Sequence, residues 1–437
     1  MFPKIKLPIF LALLISLLFS AGFSSSRDGK QYLAQGDFGI EVRILQEQLK
    51  QLGYFQVPAT GYFGPLTARA IINLQKDYGL QIDGLAGPQT HSLINNLLQN
   101  NQDRQRSVQG YCTSAEGPLP ASLTTLFTQG SSLTQVAPFW YQLDPRGNGK
   151  LIRHAEVSQE EVHRLIKTAR AQKVKVLALV HNLQYNKENV NSREVTHQVL
   201  SSKENRQTLI ENILSVIQEN GLEGIEIDLE NICSGDRYFF NQLIKELSEA
   251  FTPKKYYLSV ALPARLDEQA NVSWSGSFDY ATIGHYAQQV VIMAYDEHGT
   301  FSKAGPIASL PWVEEVIRCA LREIPPSKLV LGIPAYGFDW NYDQPAPRYI
   351  SYALAIEIAR RHQKTINWEQ SAQVPFFTYV DENGSTHDVY FENASSWAGK
   401  LDLVAKYNLR GIAIWRLGLE DPKGWEVLKS KFPVLKL

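Results

Sequence analysis

The chain has 437 residues, 44% of them apolar and 20% charged, with a formal net charge of −1. That length accommodates two or three domains, or one large domain with an appendage, and the composition is that of a soluble globular protein. A charge so near zero gives no electrostatic reason to bind nucleic acid or an anionic membrane, and with 11% aromatic residues it suits a neutral or zwitterionic ligand such as a sugar.

Residues 1–26 read as a secretory signal peptide. Lys4 and Lys6 precede an uncharged apolar run, Leu7 to Phe19, and the small residues Ser20, Ala21, Gly22 and Ser24 to Ser26 follow. The run is shorter than the about 20 apolar residues that span a bilayer, so cleavage near Gly22 and no stable membrane span are expected. The three cysteines, Cys112, Cys233 and Cys319, lie far apart without metal-ligand spacing, and an odd number cannot all pair. They read as small buried hydrophobes, and no metal or organic cofactor is expected.

A small helical unit is expected over residues 30–96. Val42, Leu45, Leu49 and Leu52 recur at helical spacing up to Gly53, and Ala70, Ile71 and Leu74 repeat the pattern. Two matching turn regions, Thr60-Gly-Tyr-Phe-Gly64 and Asp83-Gly84 with Gly87-Pro88, follow the two helices. With Gly36-Asp37, Leu45-Gln46, Leu52-Gly53-Tyr54-Phe55, Thr67, Gln75, Gly79-Leu80 and Thr90, this segment resembles the peptidoglycan-binding domain type 1 of cell-wall enzymes. The resemblance implies an all-α wall-binding domain. Residues 97–107, polar and rich in Asn and Gln, read as a linker.

From Val108 to the end the chain alternates β-rich runs with helical stretches. The runs are Val108–Thr113, Leu133–Leu143, Lys173–His181, Leu222–Glu230, Tyr256–Pro263, Val290–Asp296, Leu329–Pro334 and Gly411–Leu417. Helical patterns cover Gln159–Gln172, Arg206–Glu219, Phe239–Phe251 and Trp312–Glu323. Eight strands in this arrangement predict a (β/α)8 TIM barrel over 108–437. One connection, about 337–408, is too long for a barrel loop. It carries two helical stretches and a hairpin pattern around Asp381-Glu-Asn-Gly384, and predicts a small α+β insertion between strands seven and eight.

Within this frame Gly221-Leu-Glu-Gly-Ile-Glu-Ile-Asp-Leu-Glu-Asn231 stands out. Ile225, Ile227 and Leu229 alternate with Glu226, Asp228 and Glu230, so one strand face carries three acids. Acids at i, i+2 stand roughly 6.5 Å apart, close enough for each to raise the cost of ionising the next. Such crowding keeps a carboxylic acid protonated near neutral pH, ready to donate a proton. Functional residues of a barrel sit at the carboxyl ends of its strands. Met293 and Tyr295 end strand six, and Trp415 ends strand eight on the side of the small residues Gly411 and Ala413. Carboxylate, phenol and indole together suit a sugar ring.

Glu223-Gly-Ile-Glu226-Ile-Asp228-Leu-Glu230 resembles the Asp-Gly-x-Asp-x-Asp-x-Glu signature of glycoside hydrolase family 18. Met293-x-Tyr295-Asp296 is similar to that family's strand-six motif and Trp415 to its strand-eight tryptophan. Tyr257–Pro263 and Leu331–Gly337 look like its strands five and seven. Glu230-Asn231-Ile232, Val136–Trp140 and Val389–Asn393 look most like the spore-cortex and cell-wall N-acetylglucosaminidase branch. The resemblance implies a retaining, substrate-assisted hydrolysis of β-1,4 bonds after N-acetylglucosamine. It casts Glu230 as proton donor, Asp228 as partner of the substrate acetamido group and Tyr295 as donor to the acetamido oxygen. Substrate contacts are expected from Trp415, Glu226, Met293, Asp296, Tyr111, Trp140, Asn182 and Tyr336. Glu223 and Glu226 stand where the signature has Asp. The implied partner is peptidoglycan or a related N-acetylglucosamine polymer, and the expected form is an exported, wall-associated monomer. A chitinase of the same mechanism and a catalytically silent, lectin-like wall binder are the alternative readings.

Overall fold

The computed structural model describes residues 32–55, 57–115, 119–184, 190–266 and 275–436; the expected signal peptide lies outside them. The chain divides into two compact units between Asn100 and Asn101. No described helix is long and apolar enough to cross a membrane.

Among the described residues the first unit has three helices, α1 (Ile40–Gln51), α2 (Pro65–Asp77) and α3 (Pro88–Asp103). They close on Val42, Leu45, Leu49, Phe63, Ala70, Ile71, Leu74 and Ile94. Its two halves repeat one device. Gln46, buried on α1, donates to the Tyr62 carbonyl and to Thr67 Oγ1 and accepts from the Gly61 amide. Gln75, buried on α2, does the same with the Leu85 carbonyl, Thr90 and the Gly84 amide. Each glutamine thereby fixes the turn after its helix, satisfying backbone groups that burial would otherwise orphan. The stretch expected as a linker over 97–107 is helical as far as Asp103. Between Pro88 and Gly110 there is no glycine or proline to break the helix.

The first half of the unit leaves apolar side chains outside. Phe38 is 83% and Tyr62 52% exposed, and Ile40, Ile44 and Leu66 are exposed beside them in the chain. Phe38 and Tyr62 face each other across an antiparallel bridge. The flanking bonds run from Gly39 N to Gly61 O and from Phe63 N to Asp37 O. That makes Phe38 and Tyr62 a non-hydrogen-bonded pair, the kind whose side chains stand closest.

The second unit begins with β1 (Ser107–Cys112), β2 (Gln135–Pro138), β3 (Tyr141–Leu143), β4 (Leu151–Arg153) and β5 (Lys175–His181). β6 (Gly224–Asp228), β7 (Tyr257–Pro263), β8 (Gln289–Met293) and β9 (Leu329–Pro334) follow. β10 (Tyr336–Asn341), β11 (Arg348–Ser351), β12 (Asn367–Glu369), β13 (Val374–Val380), β14 (Thr386–Phe391) and β15 (Gly411–Trp415) complete it. Parallel pairing runs β2–β1–β15–β9–β8–β7–β6–β5 and returns from β5 to β2, so eight strands close a (β/α)8 barrel. Barrel strand two, expected as one run over Leu133–Leu143, breaks at Phe139-Trp140 into β2 and β3, both parallel to β5.

Two glycines make close approaches that a side chain would forbid. A Cβ on Gly224 would stand 2.0 Å from the Tyr257 carbonyl oxygen on β7, and one on Gly411 would stand 1.8 Å from that of Ser107 on β1. β10 to β14 form the insertion between barrel strands seven and eight, an antiparallel sheet in the order β11-β10-β14-β13-β12. The helix Tyr352–Arg361 packs on one face of it, over Ile350, Phe377, Val389 and Phe391. The expected hairpin is therefore part of a larger sheet, in which β11 and β12 are too short to show alternation, while β10 alternates Tyr336, Phe338 and Trp340 with Gly337, Asp339 and Asn341.

Candidate active site

The barrel interior is layered by strand register. At the lower, amino-terminal level, Gln109, Gln135, Gln289 and Ser259 are fully buried. Gln135 Nε2 donates to Gln109 Oε1 at 2.6 Å, and Gln289 Nε2 donates to Gln109 Oε1 at 2.9 Å and to Ser259 Oγ at 3.0 Å. Above them Tyr111, Ala137, Leu179, Ala261, Val291, Val330 and Ala413 form an inner cluster, with Phe139, Met293 and Trp415 at its exposed edge. The alternation of β1, β2, β8 and β15 turns these side chains inward.

Glu226 and Asp228 project from β6 into this interior, 0% and 4% exposed. Glu226 is level with Leu179 on β5 and Ser259 on β7, and Oε1 accepts the Tyr111 hydroxyl at 3.0 Å. Burial pushes its carboxyl up to about 7, against the opposing pull of its polar neighbours Ser259, Tyr111 and Gln109. Asp228 is also raised, by burial and then by the charge of Glu226. Its Oδ1 is buried and has no hydrogen-bond partner among the described residues.

Glu230 lies two residues past the end of β6 and half-buried, where the strand was expected to include it. Its carboxyl is raised well above the usual range by burial, then by Asp228 and Asp296. Three desolvated carboxyls in one column cannot all ionise, and the outermost of them is the one open to a ligand.

Tyr295 and Asp296 follow β8 rather than ending it. Burial, Asp228 and Glu230 raise the Tyr295 phenol well above its usual range, so it stays a neutral donor. Gly332 on β9 leaves it room: a Cβ there would lie 3.1 Å from the Tyr295 ring. Asp296 has a positive φ of 59° and accepts the Tyr336 hydroxyl on Oδ1. Part of its surface is open to solvent, yet it is walled closely enough for desolvation to raise its carboxyl. Trp415 ends β15, half-buried, with its ring 5.3 Å from that of Tyr111 and 5.8 Å from that of Phe139.

Glu226, Asp228, Glu230, Tyr295, Asp296, Met293, Tyr111, Tyr336 and Trp415 thus gather at the carboxyl end of the barrel. Two expected contacts do not join them as expected. Trp140 is 3% exposed and packs in the outer core, against Tyr141; the inward position belongs to Phe139. Counting alternate residues from the small, inward Ala137 reaches Phe139, which was the available signal. Asn182 is 1% exposed, and both protons of its amide are taken by Thr196 Oγ1 and the Glu230 carbonyl.

A stack of rings stands beside Asp228. His181, level with Asp228 across the β5–β6 ladder, lies flat under Phe139 with centroids 3.9 Å apart. Its Nε2 pairs with His154 Nε2 at 2.7 Å, and Nδ1 accepts the Leu183 amide at 3.1 Å. Burial, with His154 next to it, pushes the His181 imidazole down to about 2, so it stays neutral next to the carboxyls. Glu223 points elsewhere: its carboxylate accepts the Val176 amide at 2.8 Å and fastens β6 to β5.

Residues 141–420 match the family described as Glycosyl hydrolases family 18. The chain belongs to glycosyl hydrolase family 18. Residues 39–94 match a peptidoglycan binding domain. The chain is 33% identical over 240 residues to a cortical fragment-lytic enzyme of Bacillus subtilis, a match covering 53% of this chain and 56% of that enzyme. It thus spans just over half the length of that curated relative. Among solved structures it resembles the spore cortex-lytic enzyme SleL of Bacillus megaterium, with a TM-score of 0.69 and 27% identity over 77% of this chain and 76% of that one. A chitinase from Chromobacterium violaceum aligns with a TM-score of 0.68 and 26% identity, over 75% of this chain and 98% of that one.

Proposed function

We propose that this family 18 protein is an exported glycosidase that cleaves β-1,4 bonds after N-acetylglucosamine in peptidoglycan. The observation that carries the reading is the pairing of Asp228 and Glu230. One offers a buried acceptor oxygen with no donor among the described residues; the other is a carboxyl that desolvation keeps protonated. Glu230 protonates the glycosidic oxygen as the bond from that oxygen to the anomeric carbon breaks. The substrate's own acetamido oxygen attacks that carbon and forms an oxazolinium ion. Asp228 takes the acetamido N–H and stabilises the positive charge, and the Tyr295 phenol donates to the acetamido oxygen. Glu230, now ionised, then removes a proton from water as it opens the ring, restoring the sugar with retained configuration. Trp415 is a flat apolar face for the sugar.

The wall domain favours peptidoglycan over chitin, as does similarity to a cortical fragment-lytic enzyme and to a spore cortex-lytic enzyme. The Phe38–Tyr62 pair is the glycan-facing part of that domain in this reading, because sugar C–H faces stack on exposed rings. Residues 1–26 direct export. The second reading, a chitinase, draws on the Chromobacterium likeness. Mass spectrometry of the fragments released from purified peptidoglycan and from chitin oligomers separates the two. New reducing ends on N-acetylglucosamine from peptidoglycan are expected; turnover of chitin oligomers alone would favour the second. Efficient cleavage of a glucan lacking the acetamido group would rule out substrate assistance.

A further inference from the structure

We infer that Asn182 is a positioning residue that sets the reach of Glu230; the inference rests on the assignment of Glu230 as proton donor. Glu230 lies beyond the last ladder partners of β6, which are Asp228 with His181 on one side and Ile227 with Val260 on the other. Directly after it Asn231 turns into the left-handed region, with φ 48°. No strand therefore fixes the backbone of Glu230. Asn182 does. Its Oδ1 accepts the Glu230 amide at 2.9 Å, and its Nδ2 donates to the Glu230 carbonyl at 2.7 Å. A single side chain just past the end of β5 holds both backbone groups of the residue 48 positions later.

The clamp is itself anchored. The second Nδ2 proton goes to Thr196 Oγ1 at 2.9 Å, and the Thr196 hydroxyl donates to the Ser192 carbonyl at 2.6 Å within the helix Ser192–Ser201. The site is buried, so a lost bond is not replaced cheaply by water. With both amide protons taken, Asn182 has no donor left for a sugar, and it acts on the reaction only through Glu230. A proton donor must stand within about 3.2 Å of the oxygen it serves, and a displacement of about 1 Å costs on the order of 100-fold.

The test compares two substrates in the full chain, an N-acetylglucosamine oligosaccharide and its 2,4-dinitrophenyl glycoside. The sugar leaving group needs a proton; dinitrophenolate leaves without one. Asn182→Ala is expected to lower kcat/KM, which reports the steps up to departure of the leaving group and not the later deprotonation of water, by about 10–100-fold on the oligosaccharide and by less than about threefold on the dinitrophenyl glycoside. Asn182→Asp keeps the volume and the acceptor but removes both donors, so it is expected to behave like Asn182→Ala. Thr196→Val, which leaves both bonds to Glu230 in place, is expected to give a smaller loss of the same pattern. Equal losses on both substrates, or an Asn182→Asp variant as active as wild type, would overturn the inference, because packing alone would then account for Asn182. A wild-type protein silent on both substrates overturns the glycosidase reading and this inference with it.

Discussion

The Tyr111 hydroxyl donates to Glu226 Oε1 at 3.0 Å inside the barrel, tying the carboxyl that stands in place of the family's middle aspartate to the ring that supports Trp415. The longer arm of Glu226 is therefore accommodated by a partner on β1. Its charge still reaches Asp228 and raises that carboxyl. In the proposed mechanism activity falls as Asp228 becomes protonated, so the acid limb of kcat/KM follows Asp228. Glu226→Gln removes the charge that raises Asp228, and the acid limb is expected to move to lower pH. Tyr111→Phe removes a bond that favours ionised Glu226, so Glu226 carries less charge at a given pH and the acid limb is expected to move to lower pH here too, by less than in Glu226→Gln. A pH–rate profile of both variants checks the two shifts; an acid limb unmoved in Glu226→Gln would exclude the coupling.

Buried carboxyls also set a stability trend. The carboxyl of Asp228 is raised on folding above its unfolded value of about 3.9. A raised group favours the folded state fully below its unfolded pKa, and that contribution is lost as pH rises through the folded pKa. Asp228→Asn removes the penalty of ionising in a dry site. It is expected to melt at a higher temperature than wild type at pH 8, by on the order of 1–3 kcal/mol, and to differ little at pH 4. Thermal denaturation at the two pH values reads the difference.

Lys400 and Glu392 form a fully buried ion pair, with Lys400 Nζ 2.8 Å from Glu392 Oε2. Ser396 also donates to Glu392, and serves in the capping box with Asn393 at the start of the helix Ala394–Lys406. Lys400→Met leaves the carboxylate dry and unpaired and is expected to destabilise by about 3–5 kcal/mol. The double change Lys400→Met with Glu392→Leu is expected to recover most of that loss. Chemical denaturation of the three proteins measures the coupling.

In the wall domain, Phe38→Ala and Tyr62→Ala remove exposed rings from opposite sides of one bridge. Each is expected to weaken sedimentation with purified peptidoglycan by about 3–10-fold, on the basis of about 1 kcal/mol per lost stacking contact. Because both rings are exposed, little change in melting temperature is expected. Unchanged sedimentation in the double variant would place the glycan contact elsewhere in the domain.

Much of this site could be read along the chain. Alternation on β6 put Glu226 and Asp228 on one face, and the small residues Gly411 and Ala413 gave Trp415 its direction. What escaped depends on where alternation stops. β2 breaks after Pro138, yet alternation from Ala137 still turns Phe139 inward, and Trp140, expected as a substrate contact, packs in the outer core. β6 ends at Asp228 and β8 at Met293, so Glu230 is placed by its bonds to Asn182 and Asp296 is joined to the Tyr336 hydroxyl, beyond the reach of strand alternation. The Asn182–Glu230 clamp joins residues 48 apart, and the glutamine layer joins β1, β2 and β8; no local pattern encodes either. The repeated turns of the wall domain and the residues Gln46 and Gln75 are visible in the sequence, but the bonds by which each glutamine holds its turn link residues 15 to 21 and 9 to 15 positions apart and show only in space.

The most direct test of the account is the rate at which Glu230→Gln releases fragments from purified peptidoglycan, measured beside wild type at the pH of maximal activity. Glutamine keeps the shape and cannot donate the proton, and the account predicts a loss of about 100- to 10,000-fold with the fold intact. Release at the wild-type rate would contradict it, and would leave this family 18 barrel without its proton donor.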